Sequence, residues 1–169
     1  MAFIAEDGTG LEGANAMIDL AFADGYFEDR GQQSWTELTV AEKQSAIVQA
    51  TDYLELLPYS WQGSPLSEQQ SLIFPRTGLG LPLKVKRAVA LYALRASIGP
   101  LLPDNTISAN GQAVLSESKT LGPLSTSTTY ADPSASKRVT FRAYPEADNL
   151  LIGFIDTRAG GYGQGQVIR

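Results

Sequence analysis

The chain has 169 residues, a net charge of −5 and a 43% hydrophobic share, which suits one domain with an appendage or two. It contains no cysteine and no histidine, which excludes a disulfide framework, thiolate metal sites, most zinc sites and the usual serine or cysteine triads. The charge is segregated: residues 1–58 carry eleven acids against two bases, the remainder seven acids against eleven bases.

Gly8, Gly10 and Gly13 break any helix in residues 1–18, which predicts an extended N-terminal arm. Asp19 is placed to cap a helix in which Leu20, Phe22, Ala23, Tyr26 and Phe27 recur at helical spacing as far as Arg30, and Gly31 closes it. Thr39-Val40-Ala41-Glu42 is a capping box, in which hydroxyl and carboxylate each satisfy a free backbone donor. The helix it opens runs to about Leu57, with Ala46, Ile47, Ala50, Tyr53, Leu54 and Leu57 as its apolar stripe. Pro58 stops that helix, and Trp35 is expected to pack back on it.

Residues 58–82 form a connector punctuated by proline and glycine, with one helical turn expected at Ser67–Ser71. Within it Pro75, Arg76 and Gly78 predict a tight structural turn, Gly78 being free to take positive φ. Arg76 is then left to bond carbonyls or an acid such as Asp52 or Glu55. Pro82 suits the first turn of a helix over Leu83–Ile98, which Gly99-Pro100 terminates.

Beyond Asn110-Gly111 the period falls to two, and two strands are predicted, joined near Leu121-Gly122-Pro123. The second strand is nearly all serine and threonine, with β-propensity but little to bury. An isolated hairpin is marginal in water, so this one is expected to need a partner surface. Tyr144–Ile155 reads as a closing helix with Leu150, Leu151, Phe154 and Ile155 on its apolar side. In the tail Tyr162, Gln164, Gln166 and Ile168 would share one face of an extended strip, with Gly161, Gly163, Gly165 and Val167 on the other. A glycine face permits close approach, which suits an arm that adds as a strand to a partner sheet. The fold class expected is mainly α: a small helical bundle with an inserted β-hairpin and extended N- and C-terminal arms. Residues 1–158 make one domain, with the hairpin near 111–131, and 159–169 make the arm.

Catalytic patterns are missing. Gly161-x-Gly163-x-Gly165 lacks the dinucleotide spacing, follows a helix and opens none. Asp24 and Glu28, one turn apart, have the look of a solvated face. Glu6 and Asp7 would need oxygen donors from elsewhere to hold a cation. No catalytic, cofactor-binding or metal-binding residue is expected, and no enzyme. A nucleic-acid surface needs clustered bases with stacking aromatics; residues 84–95 have the bases, but Tyr92 is expected to be buried. No apolar run approaches the ~18 residues of a membrane span, and MAFIAEDGTG lacks a basic-then-apolar leader, so a soluble cytoplasmic protein is expected. The segregated charge reads either as two faces that neutralise each other within one subunit or as a head-to-tail contact. In the second case Asp24, Glu28 and Asp29 would meet Lys84, Arg87 and Arg95 of the next copy, a geometry that closes into rings.

AEDGTGLEGANAMIDLAFADGYFEDRG at 5–31, Trp35, LTVAEKQSAIVQATDYLE at 38–55 and FPRTG at 74–78 together resemble the head–tail adaptor, or head-completion, proteins of tailed bacteriophages. That family shows an A-N-x-Y stretch, a helix ending in A-Y-F-x-x-R-G, a second helix with A-T-x-Y-L, a W/F-P-R-T-G turn and a third helix opening with proline. VLSESKTLGPLSTSTTYA at 114–131 is similar to its S-E-x-x-G-x-x-S-x-x-Y segment, and the helix with Asp148, Leu150 and Leu151 to its closing helix. Order and spacing carry the resemblance over nearly the whole chain. Met17-Ile18 departs from the usual aromatic–aliphatic pair, and Phe74 stands where tryptophan is commoner.

The resemblance implies a structural virion protein that forms a ring, usually of twelve copies, beneath the portal. Such a ring extends the DNA channel, offers a platform to a tail or neck protein and lets packaged DNA pass without specific binding. It implies a place at the capsid vertex, in host cytoplasm during assembly, with no cofactor and no membrane. It also implies that the C-terminal arm, here Tyr162, Gln164, Gln166, Val167, Ile168 and Arg169, docks on the portal. Relatives are also labelled DnaT-like single-stranded-DNA-binding proteins, the alternative reading.

Overall fold

Asp19 opens the first helix, α1 (Leu20–Glu28), by accepting the Phe22 N–H at 2.6 Å. The helix ends in a Schellman pattern: Gln32 N–H donates to Phe27 O and Gly31 N–H to Glu28 O, with Gly31 at φ +59. A single turn, α2 (Gln33–Thr36), follows and carries Trp35. The computed structural model describes residues 2–102, 114–120, 125–130 and 141–156. It forms two compact units, 1–101 with 143–169, and 102–142.

The capping box is formed in full at the start of α3 (Val40–Leu56): Glu42 accepts the Thr39 N–H at 2.8 Å, and Thr39 Oγ1 accepts the Glu42 N–H at 3.3 Å. The Thr39 hydroxyl, which donates to the Glu42 carboxylate at 2.7 Å, and the Thr39 N–H together hold that carboxyl below its ordinary range. α4 (Leu83–Ala96) opens with Pro82 as its N-cap and stops two residues short of Ile98, in a turn through Ser97–Gly99. α5 (Pro145–Leu151) is shorter than the sequence suggests, because Ile152–Phe154 tighten into a 3₁₀ turn.

The core lies where α3 and α5 pack against α4. Val85, Ala88, Val89, Tyr92, Ala93 and Ala96 line the inner side of α4, and the three alanines allow close helix approach. Tyr53, Tyr92 and Tyr144 meet edge to face with centroids 4.9–5.9 Å apart. Tyr92 Oη donates to Asp148 at 2.6 Å, and the other Asp148 oxygen accepts the Tyr144 N–H at 2.7 Å, which fixes α5 to α4. Burial first, and the hydrogen-bonded Asp148 next, push the Tyr92 phenol well above its ordinary range, so it stays a donor.

The N-terminal segment is not the extended arm predicted for it. Residues 2–18 lack a helix, but they turn back on themselves: Glu6 N–H reaches Ala16 O at 2.8 Å, and Asn15 ties the Ile4 N–H and Ala2 O. The cause is Glu6, 4% exposed, whose carboxylate accepts the N–H groups of Gly8, Gly10 and Leu11, each at 2.9 Å. Ala14, Ala16, Met17 and Ile18 then enter the core, with Met17 N–H held by Thr51 Oγ1 at 3.0 Å.

The connector departs from expectation at one place. Ser67–Ser71 turns once without becoming helix: Gln70 N–H donates to Ser67 O at 3.4 Å, while Gln70 Oε1 accepts the Ser67 N–H and Ser67 Oγ the Gln69 N–H. In the second unit β1 (Val114–Thr120) and β2 (Ser125–Tyr130) pair antiparallel, with Thr120 opposite Ser125. The register slips by one residue between Val114 and Ser116. The C-terminal arm, Tyr162 to Arg169, lies outside the described residues.

Candidate functional site

The inward side of α1 is taken by Ala23 and Phe27, which meets Trp35 at 4.8 Å between centroids. Phe22 and Tyr26 lie about 100° round the helix from that side, one turn apart and partly exposed, and Arg30 follows a turn later, exposed. The Phe22 and Tyr26 rings are both partly exposed, lie 18° from parallel and have centroids 6.4 Å apart. Arg30 lays its guanidinium over Tyr26, 3.6 Å from the ring centroid, and Nη1–H donates to Tyr26 O at 2.7 Å. That position, at the C-terminal end of α1, also suits the helix dipole.

α4 completes the group. Its residue Lys86 stands with Nζ 5.7 Å from the Phe22 ring centroid. Two aromatic rings and two cations from separate elements thus form one partly exposed patch. Sequence reasoning sought aromatics within 84–95 and missed it; the i, i+4, i+8 spacing of Phe22, Tyr26 and Arg30 was the available signal, while Lys86 arrives only through the tertiary fold.

The residues proposed for a charge-complementary contact divide differently. Asp24 is engaged inside the subunit: one oxygen accepts both Trp35 Nε1–H at 2.8 Å and Lys43 Nζ at 2.9 Å. Glu28 and Asp29 are exposed at the end of α1. Arg95 makes a loose, exposed pair with Glu146 at 3.4 Å, while Lys84 and Arg87 lie on the outer parts of α4. The same outer side carries Leu83 and Ile98, 52% and 74% exposed, with Leu91 and Leu94 partly exposed between them.

Pro75, Arg76 and Gly78 build the connector rather than an open surface. Pro75 follows a cis peptide bond, and Gly78 sits at φ +78. Arg76, 9% exposed, donates to the carbonyls of Gln62 at 2.8 Å, Gly63 at 2.6 Å, and Trp61 and Ile73 at 3.3 Å. Burial pulls its pKa below the ordinary value, against the opposing charge of Glu55. Glu55 accepts the Ile73 N–H at 2.7 Å, and burial raises its carboxyl. It opens on a cleft of about 490 Å³ with Ser64, Ser67, Glu68, Gln70 and Ser71 on its walls. Beyond the connector, Gln62 N–H donates to Phe154 O and Asp156 N–H to Ser60 O, so the last described residues run along its start.

Glu6 and Asp7 are already committed, Glu6 to three backbone donors and Asp7 to Thr9, whose hydroxyl and N–H hold the Asp7 carboxyl below its ordinary range. Among the described residues no three acidic side chains gather closely enough to hold a metal ion, and no helix is long and apolar enough to cross a membrane.

The family described as "Putative DnaT-like ssDNA binding protein" matches over residues 1–169, and the chain belongs to it. No curated protein and no solved structure matches the chain.

Proposed function

We propose that this member of the DnaT-like family binds single-stranded nucleic acid, without catalysis, on the face of α1 and α4 that carries Phe22, Tyr26, Arg30 and Lys86. The observation that carries the reading is the pair of near-parallel, partly exposed rings flanked by two cations. Aromatic faces accept any base and contribute about 1–3 kcal/mol per stacked base, and cations beside them take phosphates. The net charge of −5 opposes long-range attraction, so affinity rests on stacking more than on charge. Two phosphate contacts give a shallow salt dependence, a slope of about −1.4 in log K against log salt. Fluorescence anisotropy of a labelled oligothymidylate at low salt tests this. Saturable binding, weaker for a duplex of equal length, is expected; an unchanged anisotropy at micromolar protein removes the reading.

A second reading is the phage head–tail adaptor, favoured by the outer side of α4. Leu83, Leu91, Leu94 and Ile98 form an apolar stripe crossed by Arg87 and edged by Lys84 and Arg95, as a subunit contact with a charged register requires. In this reading the chain forms a portal-bound ring at the capsid vertex, the β1–β2 hairpin packs on a neighbour, and Tyr162, Gln164, Gln166, Val167, Ile168 and Arg169 form the docking arm. Mass photometry with and without a portal protein tests it. A ring or portal-bound species is expected, lost on deleting 159–169 with the helical signal intact; a monomer indifferent to portal counts against it.

A further inference from the structure

We infer that the gap between Phe22 and Tyr26 is a slot for one unpaired base, which deepens the single-strand reading above and rests on it. The two residues are one turn apart on α1, an axial offset of about 6 Å, and their centroids are 6.4 Å apart with planes 18° from parallel. A base stacked on both rings needs two stacking intervals of about 3.4 Å each. The centroid distance is an upper bound on the face-to-face separation, so the rings must open by at least about 0.4 Å to admit a base, a change made by side-chain rotation. Both rings are partly exposed, so the gap is reachable from solvent.

The flanking groups bound the slot to one base. Arg30 follows Tyr26 by one turn and holds its guanidinium 3.6 Å from the Tyr26 ring centroid, with Nη1–H tied to Tyr26 O. Lys86 stands at the Phe22 end. Each ring thus has one cation beside it, which would serve the phosphates on either side of an inserted nucleotide. A base held in a duplex is already paired and stacked on both faces, so entry requires an unpaired base. The slot offers faces rather than base-edge hydrogen bonds, which makes it tolerant of sequence.

The test uses the full chain and an oligothymidylate carrying one fluorescent aminopurine, whose emission falls when it stacks. Wild-type protein is expected to quench the aminopurine on binding. Phe22→Leu and Tyr26→Leu, which keep apolar volume and remove the ring, should each weaken binding about 5- to 150-fold and abolish the quench. Arg30→Gln and Lys86→Gln should retain the quench and each reduce the salt slope by about 0.7. Binding by wild type without any quench overturns the slot while leaving the single-strand reading in place, and needs no variant to fold. Phe22→Leu that folds by circular dichroism and keeps both affinity and quench also overturns it. Absence of binding by wild type removes the reading on which the slot rests.

Discussion

Replacing Arg76 by methionine should loosen the whole connector between α3 and α4. Two of its four hydrogen bonds are short, to Gly63 O at 2.6 Å and Gln62 O at 2.8 Å; those to Trp61 and Ile73 are long at 3.3 Å and contribute little. Truncation strands the two well-bonded carbonyls at about 1–3 kcal/mol each. Methionine is spared the dehydration of a cation, which offsets part of that loss and is the same force that lowers the Arg76 pKa. The net expectation is about 2–4 kcal/mol of lost stability. Urea unfolding followed by far-UV circular dichroism measures it as a lower midpoint at unchanged slope. Arg76→Lys should recover little, since one ammonium cannot span carbonyls that a planar fork reaches from several sides. A methionine variant within about 0.5 kcal/mol of wild type, or full recovery with lysine, refutes the reasoning.

Three further outcomes follow from local geometry. Burial raises the Glu55 carboxyl above its ordinary 4.5, partly opposed by the Ile73 N–H; a raised folded-state pKa adds stability that is complete below the unfolded value and lost as pH rises through the folded one. Glu55→Gln, whose amide oxygen can still accept from Ile73, should therefore match wild type well below pH 4.5 and exceed it at neutral pH, and urea midpoints across a pH series would expose the opposite order. Thr39→Ala removes the α3 cap and should cost about 1 kcal/mol in a thermal melt; no change would mean that α3 is held by tertiary packing alone. Gly63→Ala meets both φ +72 and Thr77 O at 2.6 Å from the new Cβ, so it should cost more than about 1 kcal/mol in urea.

What the sequence made legible was local. The Thr39–Glu42 box and the Gly31 cap involve atoms within five residues of one another, so composition at fixed spacing defines them. What it hid was the use of polar side chains over distance. Glycines at 8, 10 and 13 read as an arm because nothing in their spacing reveals that the Glu6 carboxylate gathers the N–H groups of Gly8, Gly10 and Leu11, or that Ser71 Oγ accepts the Gly13 N–H, and so folds the segment inward. Ser67–Ser71 read as a helical turn because serine and glutamine tolerate one; the segment makes a single turn in which side chains take the Ser67 and Gln69 donors and Ser71 N–H reaches Leu11 O, so no helix starts. The aromatic patch failed for a third reason. Phe22 and Tyr26 sit in the acidic third of the chain, and only the packing of α1 on α4 brings Lys86 to them.

That packing also separates the two functional readings. Lys84 and Arg95 are eleven residues apart, about three turns, and share the flank of α4 that meets Glu146 of α5. Lys86 is two residues from Lys84, about 200° further round the helix, on the flank that meets Phe22 of α1. Taken along the sequence these cations are one basic segment; on the helix they are two sites divided by the apolar stripe of Leu83, Leu91, Leu94 and Ile98. A strand bound at Phe22 and Tyr26 depends on Lys86 and leaves Lys84 and Arg95 free, whereas a subunit contact along the stripe draws on Lys84, Arg87 and Arg95. Charge reversal at Lys84 and Arg95 together should therefore impair assembly and spare oligonucleotide binding, with Lys86→Gln doing the reverse. Equal effects on both assays from either change would mean that α4 acts as a single basic surface, and the assignment of separate faces would fall.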